Sequence, residues 1–219
     1  MEVAVEVYKK FLAVVPNQPD ALNNLGVCLI ELDRSSEAIG ILSDVMKIYP
    51  RDCELLNNLG NALQKSKQIE DAVVCFHSAL AVEPENITVL INLAKNLLRL
   101  GEYDSALSYL EKARDLSPEN ASLAIVDMLA LPVIYNSREQ IFTARKRLTT
   151  KLGEMEDKDW KIEDPVTTIG QTNFFLAYQG ANDKDIQSRV NEIATDISQH
   201  YDRQELTIIC VLKGSLLFT

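Results

Sequence analysis

Asn24, Asn58 and Asn92 stand 34 residues apart, and another amide, Asn61, sits three residues past Asn58. A primary amide offers two N–H donors and an acceptor oxygen. A column of them can therefore hydrogen-bond the backbone of an extended polypeptide with little regard to its side chains. Asparagine is also a mediocre helix former, so its recurrence in one helical column asks for a reason. Two readings stand open. The column holds a peptide, or it bonds within the repeat and steadies the stack. Lys95, three residues past Asn92, adds a positive charge to the same row, and Arg99 follows it.

Other reactive side chains are sparse. His77 and His200 lie far apart with no partners at metal-ligand spacing, so no metal site is expected. Cys28, Cys53, Cys75 and Cys210 form no C-x-x-C pair and lie in or beside apolar runs, as buried reduced thiols do. None of the glycine-rich phosphate loops, zinc-protease helices or nucleophile elbows occurs, and no catalytic residue is assigned. The chain carries a net charge of −10 without a basic stripe. Phosphate backbones and anionic lipid surfaces are both recognised by clustered Lys and Arg, so neither nucleic acid nor membrane is expected as a partner. The sequence starts MEVAVEVYKK, with acids where a secretion signal has a basic start and an apolar stretch. A reducing cytoplasm is the expected setting.

The elements that position the asparagines follow the same step of 34. Pro16, Pro50, Pro84 and Pro118 share it, as do Ala4, Ala38, Ala72 and Ala106. Leu25, Leu59 and Leu93 are followed by Gly26, Gly60 and Ala94. Within each period Leu22, Leu25, Gly26 and Leu29, and their equivalents, fall on one helical stripe. A second stripe holds Ala38, Leu42 and Val45, then Ala72, Phe76 and Ala79, then Ala106, Leu110 and Ala113. Small residues oppose large ones, so two helices can interdigitate. Proline falls where the second helix must stop.

This period and residue pattern resemble the tetratricopeptide repeat, a helix–turn–helix unit. The resemblance implies an all-α solenoid, a right-handed superhelix in which each unit touches mainly its neighbours. Whole repeats fall at 19–52, 53–86 and 87–120. Residues 1–18 match only a second helix, with Ala4, Tyr8 and Pro16 in register. The first helices of such repeats line the inner face, which places Asn23, Asn24 and Val27, then Asn57, Asn58 and Asn61, then Ile91, Asn92 and Lys95 there. The peptide-binding set is Asn24, Asn58, Asn61, Asn92 and Lys95. Some tetratricopeptide domains clamp a terminal carboxylate, but Asn23 and Asn57 stand where those clamps prefer a basic residue.

Past residue 120 the period fades. Ala121–Leu131 reads as one more first helix, stopped by Pro132. Ser137-Arg-Glu-Gln140 reads as a capping box opening a helix toward Gly153, with Arg145, Lys146 and Lys151 along a solvated face. Residues 121–183 form a helical linker region. Leu131-Pro132, Ile134-Tyr135, Ser137, Arg145, Phe175, Leu176, Tyr178-Gln179-Gly180 and Asn182-Asp183 resemble the segment joining repeats to catalytic half in bacterial SPINDLY-like O-linked N-acetylglucosamine transferases. That resemblance covers about residues 1–187 and implies a substrate-recognition arm. The family's sugar-nucleotide and catalytic domains lie beyond the matching part, so no catalytic residue carries over.

Ile186, Val190, Ile193 and Ile197 make a helical stripe, and Leu206–Val211 is a short β-branched run typical of a buried parallel strand. Residues 184–219 thus read as an incomplete α/β fragment. The stretch 186–219 resembles the N-terminal region of hypoxanthine-guanine phosphoribosyltransferase. The resemblance implies that Leu212, Lys213 and Gly214 bind pyrophosphate, since glycine admits backbone amides to an anion and lysine adds charge. The paired-acid loop that holds ribose and magnesium in that family is absent. No phosphoribosyl transfer is expected. Magnesium and phosphoribosyl pyrophosphate would matter only if a complete domain followed. Both ends stop in mid-unit, as in a truncated or misjoined chain.

The expected function is a protein-interaction scaffold that binds an extended peptide, with no cofactor. The alternatives are the recognition arm of a glycosyltransferase and the opening of a purine-salvage fusion. The ligand's identity and the oligomeric state are left open.

Overall fold

The structure, a computed structural model, describes residues 1–132 and 134–156. Every regular element among them is a helix. The chain divides into a compact unit of Met1–Leu116 and a second that begins at Ser117. The strand expected at 206–211 and the Leu212-Lys213-Gly214 loop lie outside the described residues.

The first unit holds α1 (Glu2–Val14), α2 (Pro19–Glu31), α3 (Ser35–Ile48), α4 (Cys53–Lys65), α5 (Ile69–Val82), α6 (Ile87–Leu100) and α7 (Tyr103–Leu116). Capping residues set their starts. The Asp52 carboxylate accepts from the Leu55 N–H at 2.9 Å, and the Asn86 amide oxygen accepts from the Val89 N–H at 3.2 Å. Each such cap contributes about 1 kcal/mol. Pro19 opens α2 at a position whose N–H needs no partner.

The turns inside the repeats also recur at a step of 34. Asp33, Lys67 and Gly101 have φ of 57°, 64° and 79°. Arg34, Gln68 and Glu102 then donate their N–H groups back to Leu29, Leu63 and Leu97 carbonyls, each at 2.9 Å. This left-handed termination satisfies carbonyls that the helix end would leave bare. Lys65 adds a link across the stack by donating to the Ile30 carbonyl at 2.8 Å.

Helices pair within each repeat (α2 with α3, α4 with α5, α6 with α7) and between repeats (α1 with α2, α3 with α4, α5 with α6). The core is the set of stripes expected from sequence, except that Leu22 of the first repeat is only half-buried. Leu25, Leu29, Ala38, Leu42 and Val45 are buried, and so are their equivalents in the next two repeats. Close approach depends on the small column. A Cβ placed on Gly26 would stand 2.7 Å from Leu42 Cδ2, and one on Gly60 would stand 2.7 Å from Phe76 Cε1. Both separations are well inside van der Waals contact.

In the second unit α8 (Ala121–Leu129) packs on α9 (Arg138–Glu156). The Asn120 amide oxygen accepts from the Leu123 N–H at 3.0 Å, so the capping column Asp52, Asn86, Asn120 outlasts the rest of the period. Ser137 Oγ accepts from the Gln140 N–H at 3.1 Å, as expected, while Gln140 reaches one residue further back, to the Asn136 N–H at 2.7 Å. The solvated basic face expected on α9 is only partly so. Asp127 of α8 is buried and ion-paired with both Arg147 and Lys151 of α9. A buried carboxylate needs cations to offset its lost hydration, and that need turns two basic side chains inward.

Candidate functional site

The first helices α2, α4 and α6 lie side by side, so their shared face carries one row of polar side chains. Each row member projects from a helix whose opposite side is leucine-rich core, which fixes its direction. The asparagines meet across the repeats. Asn58 Nδ2 donates to Asn23 Oδ1 at 3.0 Å. One repeat on, Asn92 Nδ2 donates to Asn57 Oδ1 at 3.0 Å and to Asn61 Oδ1 at 3.2 Å. The partner is the residue 35 positions back, so the ladder is staggered. Asn23 Nδ2 in turn donates to Glu54 at 2.8 Å.

The expected site residues therefore do different things. Asn58 is buried and engaged in the stack. Asn92 and Asn61 are half-buried and bonded to each other. Asn24 is exposed at the start of the row. Among the described residues, Asn24, the Asn61 amide nitrogen and the Asn92 side-chain oxygen make no side-chain hydrogen bond. Lys95 is half-buried and Arg99 is exposed, one turn apart on α6. Burial, and then the neighbouring Arg99 charge, pull the Lys95 ammonium below its ordinary pKa. Neither cation has an ion pair among the described residues. The row thus presents unused amide donors and acceptors beside two positive charges.

Sequence reading missed three members. Glu54 anchors Asn23, and Gln64 accepts from Asn96 Nδ2 at 2.7 Å. Asn96 is fully buried, and its Oδ1 has no partner. The i, i+4 spacing of Asn92 and Asn96 was the available signal, but the column before it holds Ala62 and Cys28 and shows no polarity. His77 is exposed on α5 and meets Tyr109 edge-on at 5.8 Å. His200 lies outside the described residues.

Helix pairs stacked at a step of 34 residues form a helical-repeat solenoid with the fold that tetratricopeptide repeats build. Tetratricopeptide-repeat family models match residues 7–40 and 52–119. No curated protein matches the chain. Among solved structures it is similar to a crystal structure of MamA, with 22% identity and a TM-score of 0.60 over 70% of this chain and 87% of that one. It is similar to MamA from Desulfovibrio magneticus RS-1, with 21% identity and a TM-score of 0.61 over 72% of this chain and 87% of the other. It is also similar to pilF of Pseudomonas aeruginosa, at 23% identity and a TM-score of 0.56 over 69% and 66% of the two chains. These likenesses establish the fold. No helix among the described residues is long and apolar enough to cross a membrane.

Proposed function

We propose that the shared face of α2, α4 and α6 holds an extended segment of another protein, which makes the chain an interaction scaffold. The observation that carries this reading is the set of unspent groups on one surface: Asn24, Asn61 Nδ2 and Asn92 Oδ1, with Lys95 and Arg99 at one end. Amides of this kind suit a peptide backbone, and the cation pair favours a ligand with an acidic side chain or terminus at that end. Asn58 contributes by holding α4 to α2, and so belongs to the frame of the site.

An immobilised array of extended decapeptides of varied charge tests this. Binding should be strongest for acidic peptides, should weaken with Asn24→Ala and Lys95→Ala, and should fall with salt. Binding that ignores both substitutions would sink the reading.

The sequence likeness around Leu131-Pro132 and Tyr178-Gln179-Gly180 supports a second setting for the same surface, as the substrate-recognition arm of a protein glycosyltransferase. It would present an extended acceptor to a catalytic domain. The likeness of Leu212-Lys213-Gly214 to a pyrophosphate loop supports nothing further on its own. A cytoplasmic setting is part of this proposal, and the buried, unreactive Cys28 and Cys53 suit it.

A further inference from the structure

The asparagine column of α2, α4 and α6 shares its helical stripe with the positions four residues before it and three and seven after it. At these positions α2 carries Asp20 and Glu31, α4 carries Glu54 and Lys65, and α6 carries Lys95 and Arg99. The other places on the stripe, Val27, Asn61 and Thr88, are uncharged. Net charge along the stripe thus runs from −2 on α2, through zero on α4, to +2 on α6. This is an order of residue types at fixed helical positions, and it does not rest on how exposed any of them is.

Helix energetics do not account for the order. A helix prefers an anion in its first turn and a cation in its last. Asp20, Glu54, Lys65 and Arg99 obey that preference. Glu31 breaks it, because it closes α2 at the step where α4 and α6 have Lys65 and Arg99. Lys95 stands in mid-helix, half-buried, where lost hydration works against its charge. The middle of the row is closed on itself. Glu54 accepts from Asn23 at 2.8 Å, while Lys65 donates to the Ile30 carbonyl at 2.8 Å and pairs with Asp33 at 3.4 Å. The two ends are unspent. Asp20, Glu31 and Arg99 are exposed, and none of these or Lys95 forms an ion pair among the described residues.

We infer that the ligand is a peptide with segregated charges, basic where it lies over α2 and acidic where it lies over α6, and that it is held in one direction only. The inference rests on the reading of this face as a peptide surface and adds the partner's charge order to it. Packed helices stand about 8–10 Å apart, so α2 and α6 are about 20 Å apart across the row. An extended chain rises about 3.3 Å per residue, so about six residues separate the two charged blocks. A peptide acidic throughout docks by its residues over α6 but meets repulsion at Asp20 and Glu31. A segregated peptide meets attraction at both ends, and the same peptide turned round meets repulsion at both.

Isothermal titration of the full chain with three peptides of one composition and blocked termini tests the inference. One has a lysine pair, a spacer of about six Ser, Thr and Ala residues, and an aspartate pair. The second has the reverse order, and the third interleaves the charges. At low salt one segregated order should bind about tenfold tighter than the other two peptides, and the advantage should fade near about 0.5 M salt. Glu31→Lys with Arg99→Glu, both at exposed sites, should keep wild-type helicity and bring the two segregated orders within about threefold of each other. Adding Asp20→Lys and Lys95→Glu should exchange which order binds. Equal binding of both orders, with acidic peptides still weakened by Lys95→Ala, would overturn the charge order and leave the peptide surface standing. Absence of binding by every peptide would overturn both. A preference that the Glu31 and Arg99 changes leave untouched would also end the inference.

Discussion

Asn92 Nδ2 reaches across to Asn57 Oδ1 at 3.0 Å, and Asn58 reaches Asn23 in the same way one repeat earlier. The two bonds join α6 to α4 and α4 to α2 at equivalent heights. An amide seen in sequence as a ligand contact is thus also a tie between repeats. For Asn58 and Asn92 the structure shows the tie between repeats, and the peptide-holding role belongs to our proposal for the amide groups left over.

Asn58→Ala removes the donor to Asn23 and leaves that acceptor without its partner. The expected cost is about 1 kcal/mol, with more for Asn58→Asp, which sets an acceptor against an acceptor. Urea unfolding should show a lower midpoint at an unchanged slope. Asn24→Ala, at an exposed site with no partner, should stay within about 0.5 kcal/mol of wild type. If Asn24→Ala were the more destabilising of the two, that division of roles would be wrong.

Gly60→Ala pits two effects against each other. Alanine in a helix interior is favoured over glycine by about 1 kcal/mol. Its Cβ would meet the Phe76 ring at 2.7 Å, and overpacking of that kind costs about 1–3 kcal/mol. Net destabilisation is expected. The third repeat pairs Ala94 with Leu110 in the same columns, both buried. Phe76→Leu should therefore rescue Gly60→Ala, and thermal unfolding of the pair reads this directly. Additive losses would show that the clash is not the cause.

Asp127→Ala leaves Arg147 and Lys151 turned inward without their carboxylate. Breaking such a buried pair costs about 3–5 kcal/mol. Arg147 also donates to the Asp127 and Ala130 carbonyls, at 2.7 and 3.2 Å, so it closes the end of α8 as well. Amide hydrogen exchange should quicken along α8 and α9 while α2–α7 keep their protection. Uniform protection in both units would contradict a structural role for Asp127.

Cys53 and Cys75 are both pushed up to about 11, chiefly by burial and then by nearby Glu83 and Asp71 respectively. The thiolate is the reactive form. At pH 8 each should alkylate with iodoacetamide about a hundredfold more slowly than a free cysteine. The unfolded chain loses these protons near pH 9, the native chain only near 11. Ionisation therefore favours unfolding in that window, and stability should decline as pH rises through it. Site-resolved mass spectrometry at pH 8 that finds either thiol reacting at the free rate would refute the shift.

The repeat architecture was legible because it is written in local terms. A step of 34, an apolar stripe per helix and a proline after each second helix specify two helices in each repeat and the core side of each. Each unit packs mainly on its neighbours, so sequence distance and spatial distance agree. The turn conformation at Asp33, Lys67 and Gly101 was less visible, because three unlike residues serve one backbone shape.

By itself the sequence determined that each repeat holds two helices, which side of each helix is core, and which columns carry amides and small side chains. Those properties follow from periodicity, and periodicity survives without coordinates. Only the tertiary structure decided that Asn58 points into the stack while Asn24 stays exposed, and that Lys151 turns in to Asp127. Each depends on what stands opposite a side chain across a helix interface, and one residue of stagger between neighbouring repeats sets that.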